Sequence, residues 1–418
     1  MGTSGSARGR RVRGRIALAG LLGALGLAVA LTAGCTAGPP AASASGSGAD
    51  AGRQDENHDQ PAAPVRKAVQ LAIAPADKAA SVSPVEPVKV TATDGTITNV
   101  TLANADGKAV PGKLSADGVI WSSTEPLGYG KTYTLTATGA ASDGGATSTT
   151  TSTFTTVKPR TLTFASMNPL QGQVVGIGQP VAIYFDEPVK NKELAEQSIT
   201  VRATPAVEGA FYWFSDKELH WRPQQYWAPG TKVVTDIQIY GKDLGNGIYG
   251  EEDRHIAFTI GDAVVARADG GSHTMTVEVN GSVVRTVPVS LGKPAAPSAN
   301  GVHVVTEKHP TKVMDSSTYG VPVDSADGYR TKVDWAVRIS NSGEFAHSAP
   351  WSVRDQGHRN VSHGCINLAP DNAKWFFDLV KKGDVVIITN SGGPDLRAYD
   401  GFGDWQIPWA QWKAGGKK

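Results

Sequence analysis

Apolar and polar residues alternate in short runs along most of the chain beyond about residue 66. Examples are Val88, Val90 and Ala92, and later Tyr133, Leu135 and Ala137. A two-residue period places successive apolar side chains on one face of a strand, and turn signals such as Asp94-Gly95 separate the runs. The pattern predicts a mainly β protein.

The chain contains an internal repeat with a period near one hundred residues. Trp121 precedes Gly130 by nine positions, just as Trp221 precedes Gly230. The openings and endings also correspond, namely Pro87-Val88 with Pro180-Val181 and Phe154-Thr155 with Phe258-Thr259. A repeat of this length, built from period-two runs, predicts two tandem Ig-like (immunoglobulin-like) β-sandwiches over residues 66–158 and 159–261.

Neither sandwich segment has a cluster of His, Cys or paired carboxylates beside an invariant-looking turn, so both are predicted to act as spacers. The alternative is that their tryptophans bind glycan, these being Trp121, Trp213, Trp221 and Trp227. Sandwich cores commonly bury one Trp each, which favours the spacer interpretation.

A third β-rich region is predicted over residues 262–390. Valines alternate on both sides of Asn280-Gly281, which is a strong local signal for a β-hairpin. Further strands, including the strict alternation of Val333, Trp335, Val337 and Ile339, predict a large mixed or antiparallel sheet. One helix is predicted from about residue 370 to 382, with Pro370 in its first turn and Gly383 as its left-handed cap. The aromatic residues 391–418 are predicted to pack back on an earlier domain.

The first 35 residues have the layout of an export signal. Five arginines between positions 8 and 15 precede an apolar or glycine run over residues 16–31, and no acidic residue occurs before Asp50. The run ends in Ala33-Gly34-Cys35, which resembles a bacterial lipoprotein processing site where Cys35 is lipidated. Thr32 stands where such sites usually have Leu, so an ordinary secretory signal is the alternative. An N-myristoylation pattern at Gly2 is rejected because a cleaved basic signal follows.

Composition and charge narrow the possible partners. Residues 36–65 are mostly small or polar, so they cannot offset their ordering entropy and are predicted to form a flexible tether. The 40 basic and 39 acidic side chains give a net charge of +1. Such a balance gives the protein no strong positive potential that would attract nucleic acid, so no nucleic-acid partner is expected. Contact with the membrane is expected through the lipid anchor alone.

Candidate chemistry lies around Cys365. Once Cys35 carries lipid, Cys365 has no intramolecular partner, and a lone exported thiol is either inert or reactive. Three histidines within eighteen positions favour the reactive thiol, and they are His347, His358 and His363. An imidazole can take the thiol proton and later protonate a departing amine, as acyl transfer requires. Gly364 permits a turn that points N–H groups at an oxyanion, and Asn367 could orient the imidazole.

Two other interpretations of this cluster are possible. A zinc site could use Cys365 with the three histidines, but neither a second nearby cysteine nor an HExxH helix is present. A buried thiol with incidental histidines would not explain the adjacent glycine. The residues alone do not decide whether His347 or His363 is the base.

The motif itself resembles a known family. His347, followed by fourteen intervening residues and then Ser362-His363-Gly364-Cys365 and Asn367, is similar to the signature of the YkuD-type catalytic domain of L,D-transpeptidases. The similarity extends over residues 314–320, to Tyr329, and over residues 375–384. Two preceding Ig-like modules and an aromatic tail also match the long, membrane-anchored members of that family.

The resemblance implies a role for each matching residue. Cys365 is expected to attack the third-residue carbonyl of a peptidoglycan stem tetrapeptide and to expel D-Ala, with His347 as general base and Ser348 holding its imidazole. His363 and Gly364 are expected to shape the oxyanion pocket, with support from Asn367. The expected substrate-binding residues are Tyr329 on a lid, and Met314, Tyr319 and Trp351 lining the acyl site. His358 is expected to be a loop residue near the mouth.

The expected product is a 3→3 cross-link, formed when the acyl group passes to the side-chain amine of a neighbouring stem. Carbapenems are expected to acylate Cys365, and neither a cofactor nor a metal is needed. Ile366 stands where many relatives have Arg, so a positive charge that is often found beside the nucleophile is missing here. The alternatives are a cysteine carboxypeptidase or peptidase that gives the acyl group to water, and a non-catalytic wall-binding Ig protein.

Overall fold

The computed structural model describes residues 67–325 and 328–417. The predicted signal segment, with Cys35, and the whole of the predicted tether lie outside this part. Strands make up 46% of the structure and helices 9%, so the predicted mainly β fold is confirmed. Within the described part, no helix is both long enough and apolar enough to cross a membrane.

The first β-sandwich consists of seven strands in two sheets. Its strands are β1 (Gln70–Ala74), β2 (Lys89–Thr93), β3 (Gly95–Asn104), β4 (Gly112–Leu114), β5 (Ile120–Ser123), β6 (Thr132–Ala141) and β7 (Thr147–Thr155). One sheet has the order β1-β2-β5-β4 and the other β3-β6-β7. Their inner faces bury Val90, Trp121, Leu135 and Phe154, because the period-two runs put these side chains on the same side of each strand.

The second sandwich repeats this plan with additions. Its elements are β8 (Thr161–Thr163), β9 (Ala165–Asn168), β10 (Val174–Val175), β11 (Val181–Phe185), α1 (Lys192–Gln197), β12 (Ile199–Thr204), β13 (Gly209–Ser215), β14 (Glu218–Pro223), β15 (Lys232–Ile237), β16 (Ile248–Gly250) and β17 (Arg254–Ile260). Its two main sheets have the orders β10-β17-β15-β12 and β13-β14-β11-β9. Trp213, Trp221 and Trp227 are buried, as Trp121 is in the first sandwich, so these side chains are core residues and offer no exposed platform to a glycan.

The third domain is built from two sheets. It contains β18 (Val264–Asp269), β19 (Thr274–Val279), β20 (Ser282–Pro288), β21 (Gly301–Val304), β22 (Glu307–Asp315), β23 (Arg330–Arg338), β24 (Phe345–Ser348), β25 (Ile366–Leu368), α2 (Pro370–Leu379) and β26 (Val385–Thr389). The sheet orders are β20-β19-β18-β26-β21 and β22-β23-β24-β25. Both sheets are mixed, because β18 and β26 run parallel and so do β24 and β25.

The prediction of a single large sheet is therefore wrong. Val277 of one sheet, Ile366 of the other and Phe376 of α2 share one buried cluster. Two sheets closing on a common core with α2 bury apolar faces that a single sheet would leave exposed on one side. Helix α2 also ends at Leu379, not near residue 382, because Val380 turns to an extended conformation and buries its side chain. Gly383 has a positive φ of 87°, but in the turn after the helix.

Two local predictions in this domain have different outcomes. Asn280 and Gly281 have φ values of 51° and 83° and join β19 to β20, as a two-residue hairpin turn requires. The strict alternation along β23 is wrong. Trp335 has a φ of 55° and lies opposite Pro310, which lacks an N–H group, between the pairs His309–Ala336 and Thr311–Asp334. Val333 consequently joins a different apolar cluster from Val337.

The aromatic C-terminal segment packs on the second sandwich. It contains a short helix, α3 (Trp409–Lys413). The indole of Trp405 donates to Gly178 O at 2.8 Å, and that of Trp412 donates to Ala210 O at 2.8 Å. Gly178 N donates in turn to Gly383 O of the third domain at 2.8 Å. The second sandwich thus contacts both the tail and the third domain.

Candidate active site

Cys365 lies immediately before β25 and lines a cavity of about 320 Å³. Its side chain packs beside Met314, Val333, Ala336 and Phe345, and 9% of its surface is exposed. The thiol contacts Gly343 O through a 3.8 Å Sγ···O hydrogen bond. The sulfur therefore packs against apolar side chains and faces the cavity.

His347 faces the same cavity from the neighbouring strand. The parallel register of β24 and β25 pairs His347 with Asn367, which is two residues after Cys365. Paired residues and residues two apart share one face of a sheet. Cys365 itself lies just before β25, and its side chain lines the same cavity as His347. The residues alone did not establish that these two side chains face one cavity.

Ser348 sets the orientation of the imidazole through its main chain. His347 Nδ1 lies 2.8 Å from Ser348 O. Because a carbonyl oxygen only accepts hydrogen bonds, Nδ1 carries the proton, and Nε2 of the neutral ring holds a lone pair. Burial lowers the pKa of His347 despite this hydrogen bond, so the ring is neutral at neutral pH.

Cys365 is also neutral in this state. Burial raises the pKa of its thiol to about 12, against the smaller lowering effect of a hydrogen bond from the Phe345 main chain. The negative charge of Glu344 adds to the increase, and Arg338 opposes it. The site therefore holds a thiol and a neutral imidazole, not a preformed thiolate–imidazolium pair. Such an arrangement suits proton transfer during attack by the sulfur.

The loop before Cys365 is fixed by hydrogen bonds and by one glycine. Ser362 Oγ donates to Cys365 O at 2.6 Å and accepts from Gly364 N at 3.1 Å. Gly364 has a φ of 119°, a conformation that side chains rarely adopt, and Ser298 Oγ donates to its carbonyl at 2.7 Å. In this state the Gly364 N–H group already donates to Ser362 Oγ. The glycine therefore contributes mainly by shaping the loop, and less directly as a donor to an oxyanion.

His363 lies on a different side of the site. Its ring centroid is 5.2 Å from that of Tyr329, and its Nε2 is 3.1 Å from Lys293 Nζ. An ammonium can only donate, so this Nε2 accepts the bond. Tyr329 and His363 line both the Cys365 cavity and a second cavity of about 350 Å³ that also includes Glu344 and Gly364. The two rings therefore form a wall between the cavities.

The other predicted residues occupy different positions. Met314 and Trp351 line the Cys365 cavity, and Trp351 is 58% exposed at its rim. Asn367 Nδ2 donates to Ser352 Oγ at 3.0 Å, so it fixes the loop after β24. His358 is exposed in that loop, outside the set of cavity-lining residues. Tyr319 ends a short 3-10 turn, but its side chain lies outside the described part of the structure.

Glu344 is a buried acid that the sequence analysis did not identify. Oε1 accepts from Ala299 N at 2.7 Å, and Oε2 lies 3.6 Å from His303 Nδ1. Burial raises the pKa of Glu344 to about 7 and lowers that of His303. Nothing in the local sequence distinguishes this glutamate, because its burial arises from long-range packing. It lies behind the loop that carries Gly364.

Replacing Glu344 with glutamine is expected to remove a pH-dependent loss of stability. A carboxyl whose pKa rises on folding from 4.5 to about 7 stabilises the fold below about pH 4.5, and this contribution is lost as the pH rises through 7. The shift corresponds to about 3 kcal/mol. Urea unfolding at pH 5 and pH 8 should show a smaller decrease in the free energy of unfolding for Glu344→Gln than for the wild type. Equal decreases would contradict the assignment.

Within residues 67–325 and 328–417, no three His, Cys, Asp or Glu side chains converge as a group able to hold a metal ion.

Two family models match the chain. The Bacterial Ig domain model matches residues 79–243, and the model of the L,D-transpeptidase catalytic domain matches residues 263–388. The second match covers the two-sheet domain with Cys365, and the first spans parts of both sandwiches.

Relatives and solved structures extend this similarity beyond one domain. L,D-transpeptidase 2 of Mycobacterium tuberculosis is 51% identical over 342 residues, covering 82% of this chain and 83% of that protein. L,D-transpeptidase 5 of the same species is 38% identical, covering 82% and 76% respectively. A solved LD transpeptidase in complex with imipenem is 42% identical, with a TM-score of 0.49, and covers 54% of this chain and 97% of that one. Because L,D-transpeptidase 2 is 51% identical over more than four-fifths of this chain, and the catalytic-domain model matches the domain that contains Cys365, the chain belongs to the L,D-transpeptidase family.

Proposed function

We propose that this L,D-transpeptidase forms 3→3 cross-links in peptidoglycan through an acyl-enzyme on Cys365, with release of D-Ala from a tetrapeptide donor. The observation that carries the proposal is that His347, in β24, and Cys365, immediately before the paired strand β25, line one cavity. The hydrogen bond from Nδ1 to Ser348 O leaves Nε2 of His347 as the proton acceptor.

Acylation begins when the donor's third-residue carbonyl reaches the sulfur. As Cys365 Sγ attacks that carbon, its proton passes to His347 Nε2, which avoids a free thiolate in a site where the thiol pKa is about 12. The tetrahedral intermediate then collapses. The carbon–nitrogen bond to D-Ala breaks, and His347 returns the proton to the departing amine.

The acceptor completes the cycle. A side-chain amine of a second stem attacks the thioester carbonyl, the carbon–sulfur bond breaks, and an amide bond forms between the two stems. His347, neutral again after the first half-reaction, accepts a proton from the attacking amine and gives it to the departing sulfur, which restores the Cys365 thiol. Tyr329 and His363 divide the space near the sulfur into two cavities, which leaves room for more than one peptide.

Carbapenems are proposed to acylate the same thiol. Their strained β-lactam carbonyl presents an acyl group to Cys365 without the need for a leaving amine to depart, so the ring-opened adduct stays bound as a thioester. Export and lipidation at Cys35 are proposed from the signal pattern, which would place the enzyme outside the cytoplasm, on the cell membrane, and reaching into the wall.

Purified protein incubated with tetrapeptide-bearing muropeptides should yield dimers joined through third-position residues. Product mass spectrometry distinguishes this outcome from its alternatives. Tripeptide monomers without dimers would show a carboxypeptidase that transfers the acyl group to water. Binding without any change in muropeptide mass would show a non-catalytic wall-binding protein. Either result would overturn the proposed function.

A further inference from the structure

One carboxylate lines the cavity that contains Cys365. Among the thirteen described residues around this cavity, Asp355 is the only acidic one, and none is Lys or Arg. Its side chain is 18% exposed, so it is sheltered but open to a ligand. The remaining polar residues of the lining are histidines, hydroxyl residues and Asn367. Asp355 is therefore the negative charge nearest to a ligand in this cavity.

The loop that carries Asp355 is tied to the catalytic strand. Asp355 N donates to Ser352 O at 2.9 Å, and Ser352 Oγ accepts from Asn367 Nδ2 at 3.0 Å. Asn367 is the strand partner of His347. A short chain of hydrogen bonds thus connects the position of Asp355 with Asn367, which is the strand partner of the base and lies two residues after the nucleophile.

The carboxylate itself is oriented by one partner. Arg359 Nε donates to Oδ1 at 2.5 Å, and among the described residues no group donates a hydrogen bond to Oδ2. Arg359 is 73% exposed, so solvent weakens this ion pair. One oxygen of Asp355 is accordingly left for a cationic or hydrogen-bond-donating ligand.

We infer that Asp355 binds the amine of the acceptor stem and so favours transfer over hydrolysis. The inference rests on the proposed function and names the residue that selects the second substrate. A primary amine is an ammonium ion at neutral pH, with three donors that suit a carboxylate oxygen. Water carries no charge and gains no comparable attraction. A carboxylate in the cavity therefore raises the local concentration of the amine relative to its competitor.

The proton balance is consistent with this role. The acceptor ammonium loses one proton through His347 to solvent, and its nitrogen then attacks the thioester carbonyl. The carbon–nitrogen bond forms, the carbon–sulfur bond breaks, and the second nitrogen proton passes to the sulfur. Asp355 holds the amine before attack and neither gains nor loses a proton.

Asp355→Asn tests the inference, because asparagine keeps the shape of the side chain and removes its charge. Purified protein is given a tetrapeptide donor and increasing concentrations of an acceptor stem with a free side-chain amine, in separate arms with meso-diaminopimelate and lysine. Dimer and hydrolysed tripeptide are quantified by mass spectrometry. The variant is expected to show an acceptor KM about tenfold higher than the wild type, the effect of one charge-assisted hydrogen bond, and a correspondingly larger share of tripeptide.

Two further measurements separate binding from structure. Acylation by donor or carbapenem without acceptor should proceed at the wild-type rate, and added salt should raise the acceptor KM of the wild type more than that of the variant. Asp371→Asn is the matched control, because Asp371 is exposed on α2 outside both cavities. It is expected to behave as the wild type.

The outcomes are distinct from those that test the proposed function. Equal acceptor KM values for wild type and Asp355→Asn would overturn the inference and leave cross-linking intact. Acylation slowed by the same factor as transfer would make Asp355 a structural residue, and would also overturn it. Absence of dimers from the wild type itself would instead reject the proposed function.

Discussion

Replacing Cys365 with alanine is expected to reduce both the cross-linked dimer and the carbapenem adduct below detection. The substitution removes the only thiol of the described residues, and no other side chain in the cavity combines comparable nucleophilicity with access to His347. Intact-protein mass spectrometry measures the adduct. Tryptic mapping should place it on residues 360–374, which lie between Arg359 and the cleavage site after Lys374.

The matched control is His358→Gln, in the loop before Cys365. His358 is exposed and does not line the cavity, so turnover is expected to stay within about twofold of the wild type, as for a surface substitution away from special features. Cys365→Ala should lose only about 1 kcal/mol of stability, because a single buried sulfur is removed. Persistence of the adduct in the alanine variant would identify a different nucleophile.

Local patterns in the sequence predicted the strands well where local geometry decides the structure. The Asn280-Gly281 turn formed as predicted, because both residues tolerate a positive φ. The pattern failed along β23, where Pro310 on the partner strand interrupts the pairing opposite Trp335. That interruption depends on which strands pair and in which register, and neither is readable from β23 alone.

The nucleophile could be predicted from its neighbours, but the arrangement around it could not. His347 and Cys365 line one cavity because β24 pairs in parallel with β25, and the seventeen residues between them conceal this arrangement in the sequence. Glu344 acquires its raised pKa from burial behind the Gly364 loop, which no motif signals. Asp355 did leave a signal that was missed, since it is the only acidic residue between His347 and Cys365.

Replacing Asp404 with alanine is expected to destabilise the protein by about 3–5 kcal/mol, the usual effect of removing one partner from a buried ion pair. Asp404 is fully buried in the C-terminal segment, and its Oδ1 lies 2.8 Å from Nδ1 of His220 in β14. Burial alone would lower the pKa of His220. The negative charges of Asp404 and, to a smaller extent, Glu218 have the larger effect and raise this pKa to about 9. The variant would leave a buried histidine without this partner.

A neighbouring cation depends on the same carboxylate. Arg222 is buried, and its guanidinium lies 4.7, 5.4 and 4.5 Å from the ring centroids of Trp405, Trp409 and Trp412. Burial lowers the pKa of Arg222 to about 10, and the Asp404 charge partly counters the decrease. Asp404 therefore stabilises the charged forms of both His220 and Arg222. Its loss weakens the attachment of the C-terminal segment to the second sandwich.

The pH dependence of the loss identifies its cause. A histidine whose pKa rises from 6.5 to about 9 on folding contributes stability that is complete below about pH 6.5 and is lost as the pH rises through 9. Urea unfolding should thus show a larger gap between wild type and Asp404→Ala at pH 6 than at pH 10. Asp395→Ala, at an exposed acid of the same segment, should change stability by less than about 0.5 kcal/mol. A gap independent of pH would mean that packing, and not the His220 ion pair, holds the segment.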